Sequence, residues 1–233
     1  MSAHYFVSDA HIGGGSPAAE QRLFRFLESI RGRADSLYIL GDLFEFWFEY
    51  RQAIPRRGFK ALAELAELAR TGTRIGYLKG NHDFWFQDFW QRELGAAATD
   101  EVELTLDGKR VYLAHGDALD RALVPRIFRK LMRNRLNGRL YSLLHPDAGI
   151  GLALAVARLS RANGAKPSLI EDMAAFAARR IESGCDIVIM GHSHVPEQRR
   201  LGTGVYLNIG DWLTHFTYGV IRDGVPSLEV FAG

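Results

Sequence analysis

Six short apolar segments of this chain each end at polar residues of the kinds that bind metals or transfer protons. The segments span 5–7, 37–40, 74–79, 111–114, 186–190 and 205–209. Apolar runs of this length, bounded by glycine and turn residues, predict buried β-strands. Apolar periodicity over 18–31, 59–70 and 169–181 predicts helices between several of the strands. The alternation indicates an α/β fold in which the polar ends of the strands converge on one crevice.

Three segments depart from this alternation. Residues 102–113 predict a hairpin with an Asp-Gly turn at 107–108, and residues 220–231 predict another with an Asp-Gly turn at 223–224. Part of the sheet structure is therefore expected to be antiparallel. Residues 120–169 form a long helical insertion, which we expect to lie over the mouth of the crevice as a lid or cap.

The polar ends of the strands carry seven residues with oxygen or imidazole donors. These residues are Asp9, His11, Asp42, Asn81, His115, His192 and His194. A single histidine in an apolar setting is more often a core residue than a ligand, but five of the eight histidines, counting His82, lie at these ends. Carboxylate, amide and imidazole groups suit Mn²⁺, Fe²⁺ or Zn²⁺. Seven donors exceed the needs of one tetrahedral ion, so the set predicts two divalent ions that share a carboxylate, for which Asp42 is the natural bridge.

Two such ions about 3.5–4 Å apart suit the hydrolysis of a phosphoester, because they acidify a water and neutralise charge on the phosphoryl oxygens. His82 is then predicted to act beside the phosphoryl or leaving oxygen as a cation or proton donor, with Asp83 orienting its ring. The alternative for Asp83 is a structural role in the loop. Residues 208–212 close a strand near the site and are interpreted as structural support, with a supporting contact to the ligands as the alternative.

Composition limits the kinds of binding partner and the cellular compartment that are expected for this chain. The single cysteine, Cys185, excludes an intramolecular disulfide framework and a Cys-rich zinc module, and it favours a reducing compartment. A formal net charge of +2 argues neither for a nucleic-acid coat nor for a purely electrostatic membrane binder. The sequence lacks a secretory signal pattern, and no uncharged apolar run reaches about 18–20 residues. We therefore expect a cytoplasmic protein of one domain, 1–233.

Five ordered blocks resemble those of the calcineurin-like metallophosphoesterases. The blocks are Asp9-x-His11, Gly41-Asp42, Gly80-Asn81-His82-Asp83, His115-Gly116-Asp117 and Gly191-His192-x-His194. The resemblance implies a four-layer α/β/β/α sandwich of two mixed sheets with a two-metal centre. It also implies two ligand groups, namely Asp9, His11, Asp42 and His194 for one ion, and Asp42, Asn81, His115 and His192 for the other. His82 is then the catalytic histidine.

Within that superfamily the chain more closely resembles the UDP-2,3-diacylglucosamine pyrophosphatases of lipid A synthesis, through residues 38–47, 80–84 and 115–117. Such enzymes cleave a nucleotide-lipid diphosphate to UMP and a lipid monophosphate, usually with Mn²⁺. The resemblance implies substrate contacts from Asn81, Asp120, Asn163, Lys166 and His192. The best-known branch carries arginine where this chain has His82, so a paralogous branch with another substrate stays open.

The insertion supplies an independent argument for a lipid. Residues 121–145 carry seven arginines and lysines and no acidic residue, with apolar residues recurring every four positions. This pattern predicts a basic amphipathic helix that lies on an anionic membrane or lines an acyl-chain groove. The alternative is a solvated arginine-rich face whose apolar stripe packs on the domain. Residues 149–157 are apolar nearly all round and are expected to be buried.

Aromatic residues cluster at 44–50 and 84–90. Core and loop packing is the more common use of such clusters, and stacking on a base or lining an acyl groove are the alternatives.

Three functions compete on these observations. The leading hypothesis is a metal-dependent nucleotide-lipid pyrophosphatase at the cytoplasmic face of the membrane. The second is a phosphatase or phosphodiesterase of the same fold that acts on soluble substrates or nucleic acid. No nucleic-acid partner is expected, because the basic residues concentrate in the insertion rather than along the crevice. The third is an inactive scaffold, which the complete ligand set argues against.

Overall fold

The computed structural model describes residues 2–121, 134–160 and 167–233. Its α-helices are Pro17–Ile30 (α1), Phe59–Arg70 (α2), Phe89–Leu94 (α3), Arg135–Tyr141 (α4), Pro146–Ser160 (α5) and Pro167–Glu182 (α6). The three helices predicted from apolar periodicity are confirmed as α1, α2 and α6. Helix α1 begins where the Ser16 side chain accepts a hydrogen bond from the Ala19 amide at 3.2 Å, with Pro17 at the first helical position.

One mixed sheet has six strands in the order β13-β12-β1-β2-β4-β6. These strands are Ala3–Val7 (β1), Ser36–Leu40 (β2), Arg74–Leu78 (β4), Ala98–Thr99 (β6), Thr217–Arg222 (β12) and Val225–Val230 (β13). Strands β1, β2, β4 and β6 run parallel, whereas β12 is antiparallel to β1 and to β13. The hairpin predicted around 223–224 is confirmed as β12–β13.

A second mixed sheet has five strands in the order β10-β11-β9-β8-β7. These strands are Glu101–Leu106 (β7), Lys109–Ala114 (β8), Ile187–Met190 (β9), Glu197–Leu201 (β10) and Gly204–Asn208 (β11). The predicted hairpin at 107–108 is confirmed as β7–β8, which pair in antiparallel register. A short parallel pair, Trp47–Phe48 (β3) and Asp83–Trp85 (β5), lies outside both sheets.

The two large sheets pack face to face, with helices on the outside. In β1, Phe6 packs against apolar residues of the second sheet, whereas its neighbours Tyr5 and Val7 pack on the side of α1 and α2. On the far face, Met173 and Ala177 of α6 cover the second sheet. Successive side chains of a strand point to opposite faces, so each sheet contributes to two apolar layers. This arrangement confirms the expected four-layer α/β/β/α sandwich.

The described part of the insertion packs on an aromatic wall, by which we mean Phe46, Phe48, Tyr50, Phe84 and Trp85. Ala153 of α5 is buried against this wall, and the Tyr141 ring lies 4.7 Å from that of Phe48. The packing interpretation of the aromatic clusters is therefore confirmed at this wall. The expectation that 149–157 are buried all round is wrong for Leu152, which is 57% exposed, because only one face of α5 meets the wall.

Of the basic amphipathic helix predicted for 121–145, residues 122–133 lie outside the described residues. The described remainder is helical over Arg135–Tyr141 (α4), so the predicted helix does not continue to 145. Arg121, at its start, is exposed and forms an ion pair of 2.9 Å with Asp172 of α6. No helix within the described ranges combines the length and the apolar character that a bilayer span requires.

Candidate metal centre

Five loops meet where parallel strands end. The loops after β1, β2 and β4 come from the first sheet, and those after β8 and β9 come from the second. The His11 amide donates to Asp42 O at 3.0 Å, which joins two loops of the first sheet. The His192 amide donates to Asp9 Oδ2 at 2.9 Å, which joins the two sheets. The sandwich thus brings the predicted ligand residues to one place, as the carboxyl ends of parallel strands do in open α/β folds.

Two glycines allow the loops to approach this closely. A Cβ atom on Gly80 would lie 2.1 Å from Asp42 Oδ1, and one on Gly41 would lie 2.7 Å from His115 Nδ1. Gly41 also has a φ of +86°, in the region that favours glycine. Both positions therefore require glycine for the carboxylate and the imidazole to occupy their places.

Five of the predicted ligands have left-handed backbone conformations. The φ angles are 52° at Asp9, 45° at His11, 53° at Asp42, 67° at His192 and 59° at His194. Such angles are uncommon for residues other than glycine, and they cost about 1–3 kcal/mol each when the surroundings impose them. Clustering of this strain on the donor residues indicates that the fold holds them for a purpose other than stability.

The donor atoms form three overlapping groups, in each of which all atoms lie within 4.8 Å of one another. The groups are Asp9, His11 and His194; His11, Asp42 and His82; and Asp9, Asp42 and His115. Asp42 Oδ2 lies 3.5 Å from His115 Nε2 and 4.0 Å from His11 Nε2. Asp42 is thus placed between the two sides of the centre, where a shared carboxylate would lie.

Two buried atoms test whether these donors suit a cation. His11 Nε2 lacks a hydrogen-bond partner among the described residues, and Asp9 Oδ1 has there an ion-pair contact of 3.3 Å with His194 Nε2 but no well-aligned hydrogen bond, although Asp9 is 0% and His11 1% exposed. The two atoms are 3.9 Å apart. An unsatisfied buried polar group costs about 1–3 kcal/mol, and more when it is charged. A divalent cation between these atoms would satisfy both, so the donor set fits a metal.

The charge states of the donors are set by their neighbours. Burial raises the pKa of Asp9, but the nearby His194 and His115 rings outweigh it and bring that pKa to about 2. Burial lowers the pKa of His115, but the Asp42 and Asp9 carboxylates outweigh it and raise the pKa to about 10. Burial, reinforced by His115, lowers the pKa of His192 to about 4. With no cation bound, the centre at neutral pH therefore has an ionised Asp9, a protonated His115 and a neutral His192, and a cation that binds His115 would displace its ring proton.

The His82 ring lies inside the centre and has a defined orientation. Its Nδ1 lies 2.8 Å from the backbone carbonyl of Glu45, and its ring centroid is 4.6 Å from that of His11. Because a carbonyl oxygen only accepts hydrogen bonds, Nδ1 must carry a proton. The other ring nitrogen, Nε2, is left for the chemistry of the centre.

The structure corrects the role predicted for Asp83 as the residue that orients His82. Asp83 Oδ2 accepts hydrogen bonds from the amides of Asp42 (3.0 Å) and Gly80 (2.8 Å), and Oδ1 accepts from the Tyr77 hydroxyl (2.9 Å). Its carboxylate is therefore committed to fixing two loops, and the carbonyl of Glu45 orients His82 instead. The structural alternative for Asp83 is the one supported.

Asn81 also lies in the centre, beside His115, since its Oδ1 lies 3.2 Å from His115 Nε2. The His115 Nδ1 atom lies 2.6 Å from Leu40 O, so Nε2 faces Asn81 and Asp42. The expected substrate contact Asp120 follows the 3-10 turn Asp117–Leu119. The other two insertion contacts, Asn163 and Lys166, lie outside the described residues.

Two acidic residues border the centre that the sequence reasoning did not place there as contributors. Glu45 Oε2 lies 3.4 Å from His11 Nδ1, and Asp211 Oδ2 lies 3.5 Å from His194 Nδ1. Their positions in the sequence are the feature that could have indicated them. Glu45 follows Asp42 by three residues, and Asp211 lies in the segment 208–212, interpreted as structural support.

Comparisons with known proteins agree with this geometry. The sequence profile described as calcineurin-like phosphoesterase matches residues 5–196. A UDP-2,3-diacylglucosamine hydrolase of Porphyromonas gingivalis is 34% identical, over 93% of this chain and 92% of that protein. One from Neisseria meningitidis serogroup B is 32% identical, over 96% and 95%. A solved archaeal phosphodiesterase has a TM-score of 0.52 at 15% identity, over 98% of this chain and 99% of that one, which supports the fold alone.

Proposed function

The chain belongs to the calcineurin-like phosphoesterase family, and from that premise we propose that it hydrolyses UDP-2,3-diacylglucosamine to UMP and 2,3-diacylglucosamine 1-phosphate. As a family member it is a hydrolase of phosphoesters that depends on divalent metal. The observation that carries the proposal is the convergence of carboxylate and imidazole donors around Asp42. Its substrate is suggested by relatives named for that reaction, which align over nearly their whole length.

We propose two metal sites that share Asp42. One site is completed by Asp9, His11 and His194. The other site is completed by Asn81, His115 and His192. We propose Mn²⁺ as the metal, with Fe²⁺ and Zn²⁺ as alternatives, since all three accept mixed oxygen and nitrogen donors. When bound, the two cations would neutralise charge on the diphosphate and acidify the attacking water.

His82 is proposed to protonate the leaving phosphate oxygen. The His82 Nδ1–H group donates to Glu45 O over an N···O distance of 2.8 Å, so turning the ring over would break that hydrogen bond. A second proton at Nε2 would then be available to the leaving group. Asn81 and His192, on the opposite side of Asp42, are proposed to contact the diphosphate.

The insertion, 120–169, is proposed as a cap that receives the acyl chains within a single domain. A cavity of about 720 Å³ lies between the aromatic wall and the segment that joins α4 to α5, lined by Tyr50, Trp85, Leu143, Leu144 and five other residues together with Arg51 and Arg139. Its mixture of apolar side chains and two arginines suits a phosphorylated lipid. Asp120, Asn163 and Lys166 are proposed to contribute from the rest of the cap.

A peripheral contact with the inner face of the cytoplasmic membrane is part of the proposal. Leu136, Leu140 and Leu143, within the acid-free basic segment 121–145 of the cap, are 64%, 56% and 80% exposed. Apolar side chains beside arginines suit the headgroup boundary of an anionic bilayer.

The direct test is product analysis with defined metal content. Protein stripped with EDTA and reloaded with Mn²⁺ should release UMP and the lipid monophosphate in equal amounts, whereas the stripped protein should release neither. His115→Ala should retain the fold but lose the reaction. Should the loaded protein leave this substrate intact while cleaving bis(p-nitrophenyl) phosphate, the lipid assignment is wrong and a soluble-substrate phosphodiesterase replaces it.

A further inference from the structure

We infer that Asp211 is a positioning residue, which holds His194 in the tautomer and rotamer that present Nε2 to the metal site with Asp9. The inference rests on the proposed metal ligands, and it concerns a residue of the segment 208–212, for which the sequence favours structural support and leaves a contact to the ligands as the alternative. The observation behind it is an imidazole placed between two carboxylates, with Asp211 Oδ2 3.5 Å from Nδ1 and Asp9 Oδ1 3.3 Å from Nε2.

The two oxygens of Asp211 have separate tasks. Oδ1 accepts hydrogen bonds from three consecutive backbone amides, those of Leu213 (3.0 Å), Thr214 (2.7 Å) and His215 (3.0 Å). These bonds fix a carboxylate that is itself buried, since Asp211 is only 3% exposed. Oδ2 is thereby directed toward His194 and toward His215 Nδ1 at 3.2 Å.

His194 needs such a partner more than His11 and His115 do. Its side chain is 35% exposed, whereas those of His11 and His115 are 2% and 0% exposed. A half-buried imidazole retains rotational freedom that packing does not remove. A fixed carboxylate at Nδ1 restricts both the ring rotation and the position of the proton.

The segment that contains Asp211 also forms a hydrogen bond with Asp9, the ligand on the other side of the His194 ring. The amide of the next residue, Trp212, donates to Asp9 O at 3.2 Å. One short segment therefore holds the backbone of Asp9 and the ring of His194, and so sets the distance between two donors of the same proposed site.

Asp211→Asn is a selective test of this role. The asparagine oxygen still accepts from the three turn amides, while an NH₂ donor replaces Oδ2. His194 Nδ1 must then accept that donor, which moves the ring proton to Nε2 and removes the lone pair that a metal needs.

The measurement is Mn²⁺ binding to the metal-free full-length protein by calorimetric titration, with the free Mn²⁺ signal in electron paramagnetic resonance as a second readout. Wild type should bind two ions. In Asp211→Asn, one of the two dissociation constants should rise about 10–100-fold, the usual effect of removing an outer partner of a metal ligand, and the other should stay within twofold. Hydrolysis should return at high Mn²⁺, so the loss appears in the metal requirement rather than in the maximal rate.

His215→Gln is the matched control, because His215 Nδ1 also contacts Asp211 Oδ2, at 3.2 Å, and His215 is not among the proposed ligands. It should leave both Mn²⁺ constants unchanged. If Asp211→Asn does not fold, Asp211→Ser replaces it, since the serine hydroxyl still accepts from the turn but is too short to reach His194.

Unchanged Mn²⁺ binding in Asp211→Asn would overturn the inference while leaving the proposed function intact. Equal weakening by His215→Gln would also overturn it, because the turn rather than Oδ2 would then be responsible. A wild type that binds no Mn²⁺ would overturn the proposed function and this inference together.

Discussion

The ligand loops and the helical insertion contact each other at the aromatic wall, but they are built in opposite ways. In the ligand loops, Asp9 and Asp42 are almost completely buried, and close approaches at Gly41 and Gly80 leave no room for other residues. In the insertion, one side of α4 and α5 packs on aromatic rings while leucines on the other side stay exposed. We propose from this difference that the ligand loops set the reaction, whereas the insertion sets which substrates reach it.

Replacing the central carboxylate should give the largest effect. We expect Asp42→Asn to lower kcat/KM by about 10³-fold or more for every phosphoester, because the shared ligand supports both cations and each factor of ten corresponds to about 1.4 kcal/mol. Steady-state rates with the lipid substrate and with bis(p-nitrophenyl) phosphate measure this.

The control for Asp42→Asn is Asp223→Asn, in the hairpin turn between β12 and β13, which should keep full activity. A loss confined to the lipid substrate would break the comparison, since the ligand loops would then be setting selectivity rather than the reaction.

The next effect should come from His82. Proton transfer by a positioned side chain contributes about 10²–10⁴-fold, so His82→Gln should lower kcat by that order for both substrates. Mn²⁺ content should remain at two ions, because the proposed ligands are untouched. If one Mn²⁺ is lost instead, His82 acts as a ligand through its group with His11 and Asp42.

A substitution at the contact between the insertion and the aromatic wall should affect the two substrates differently. A Cβ atom on Gly138 of α4 would lie 2.3 Å from the Trp85 ring, and such overpacking costs about 1–3 kcal/mol. We therefore expect Gly138→Val to raise KM for the lipid substrate about tenfold and to leave bis(p-nitrophenyl) phosphate hydrolysis unchanged.

Gly151→Ala in α5 is the matched control for Gly138→Val, because a Cβ atom there meets no atom within 4 Å. It should be silent in both assays. Equal losses of both activities in Gly138→Val would contradict the division of labour between loops and insertion.

The smallest effect should appear at the exposed face of the insertion. Leu143→Asp removes an apolar side chain that is 80% exposed and adds a negative charge, so binding to vesicles that contain phosphatidylglycerol should weaken about tenfold. Co-sedimentation with such vesicles measures it. Val225→Asp, at a position on β13 that is 67% exposed, should change nothing, and equal weakening by the two variants would argue against a membrane face on the cap.

The sequence predicted the ligand loops well because their geometry depends on strand order and on short local motifs. Apolar runs ending at polar residues are sufficient to place Asp9, Asp42 and His115 at one edge of the sandwich. The left-handed conformations of the ligands were not predictable, because the side chains impose them only after the loops have met.

The sequence also did not predict which residues far apart in the chain would contact one another. Asp83 adjoins His82 in the chain, yet it bonds the amide of Asp42, 41 residues away. Asp211 and Glu45 likewise meet their histidines only in the folded sandwich. The insertion was harder still, because an amphipathic pattern records that one face is apolar and does not record what covers it.

The division between reaction and selectivity is tested most directly by one ratio, measured on Mn²⁺-loaded wild type. The ratio is kcat/KM for UDP-2,3-diacylglucosamine over kcat/KM for the same UDP-sugar without acyl chains. Each buried methylene contributes about 0.8 kcal/mol, so acyl recognition by the insertion predicts a ratio of about 100 or more. A ratio near one, with both substrates cleaved, would contradict the account.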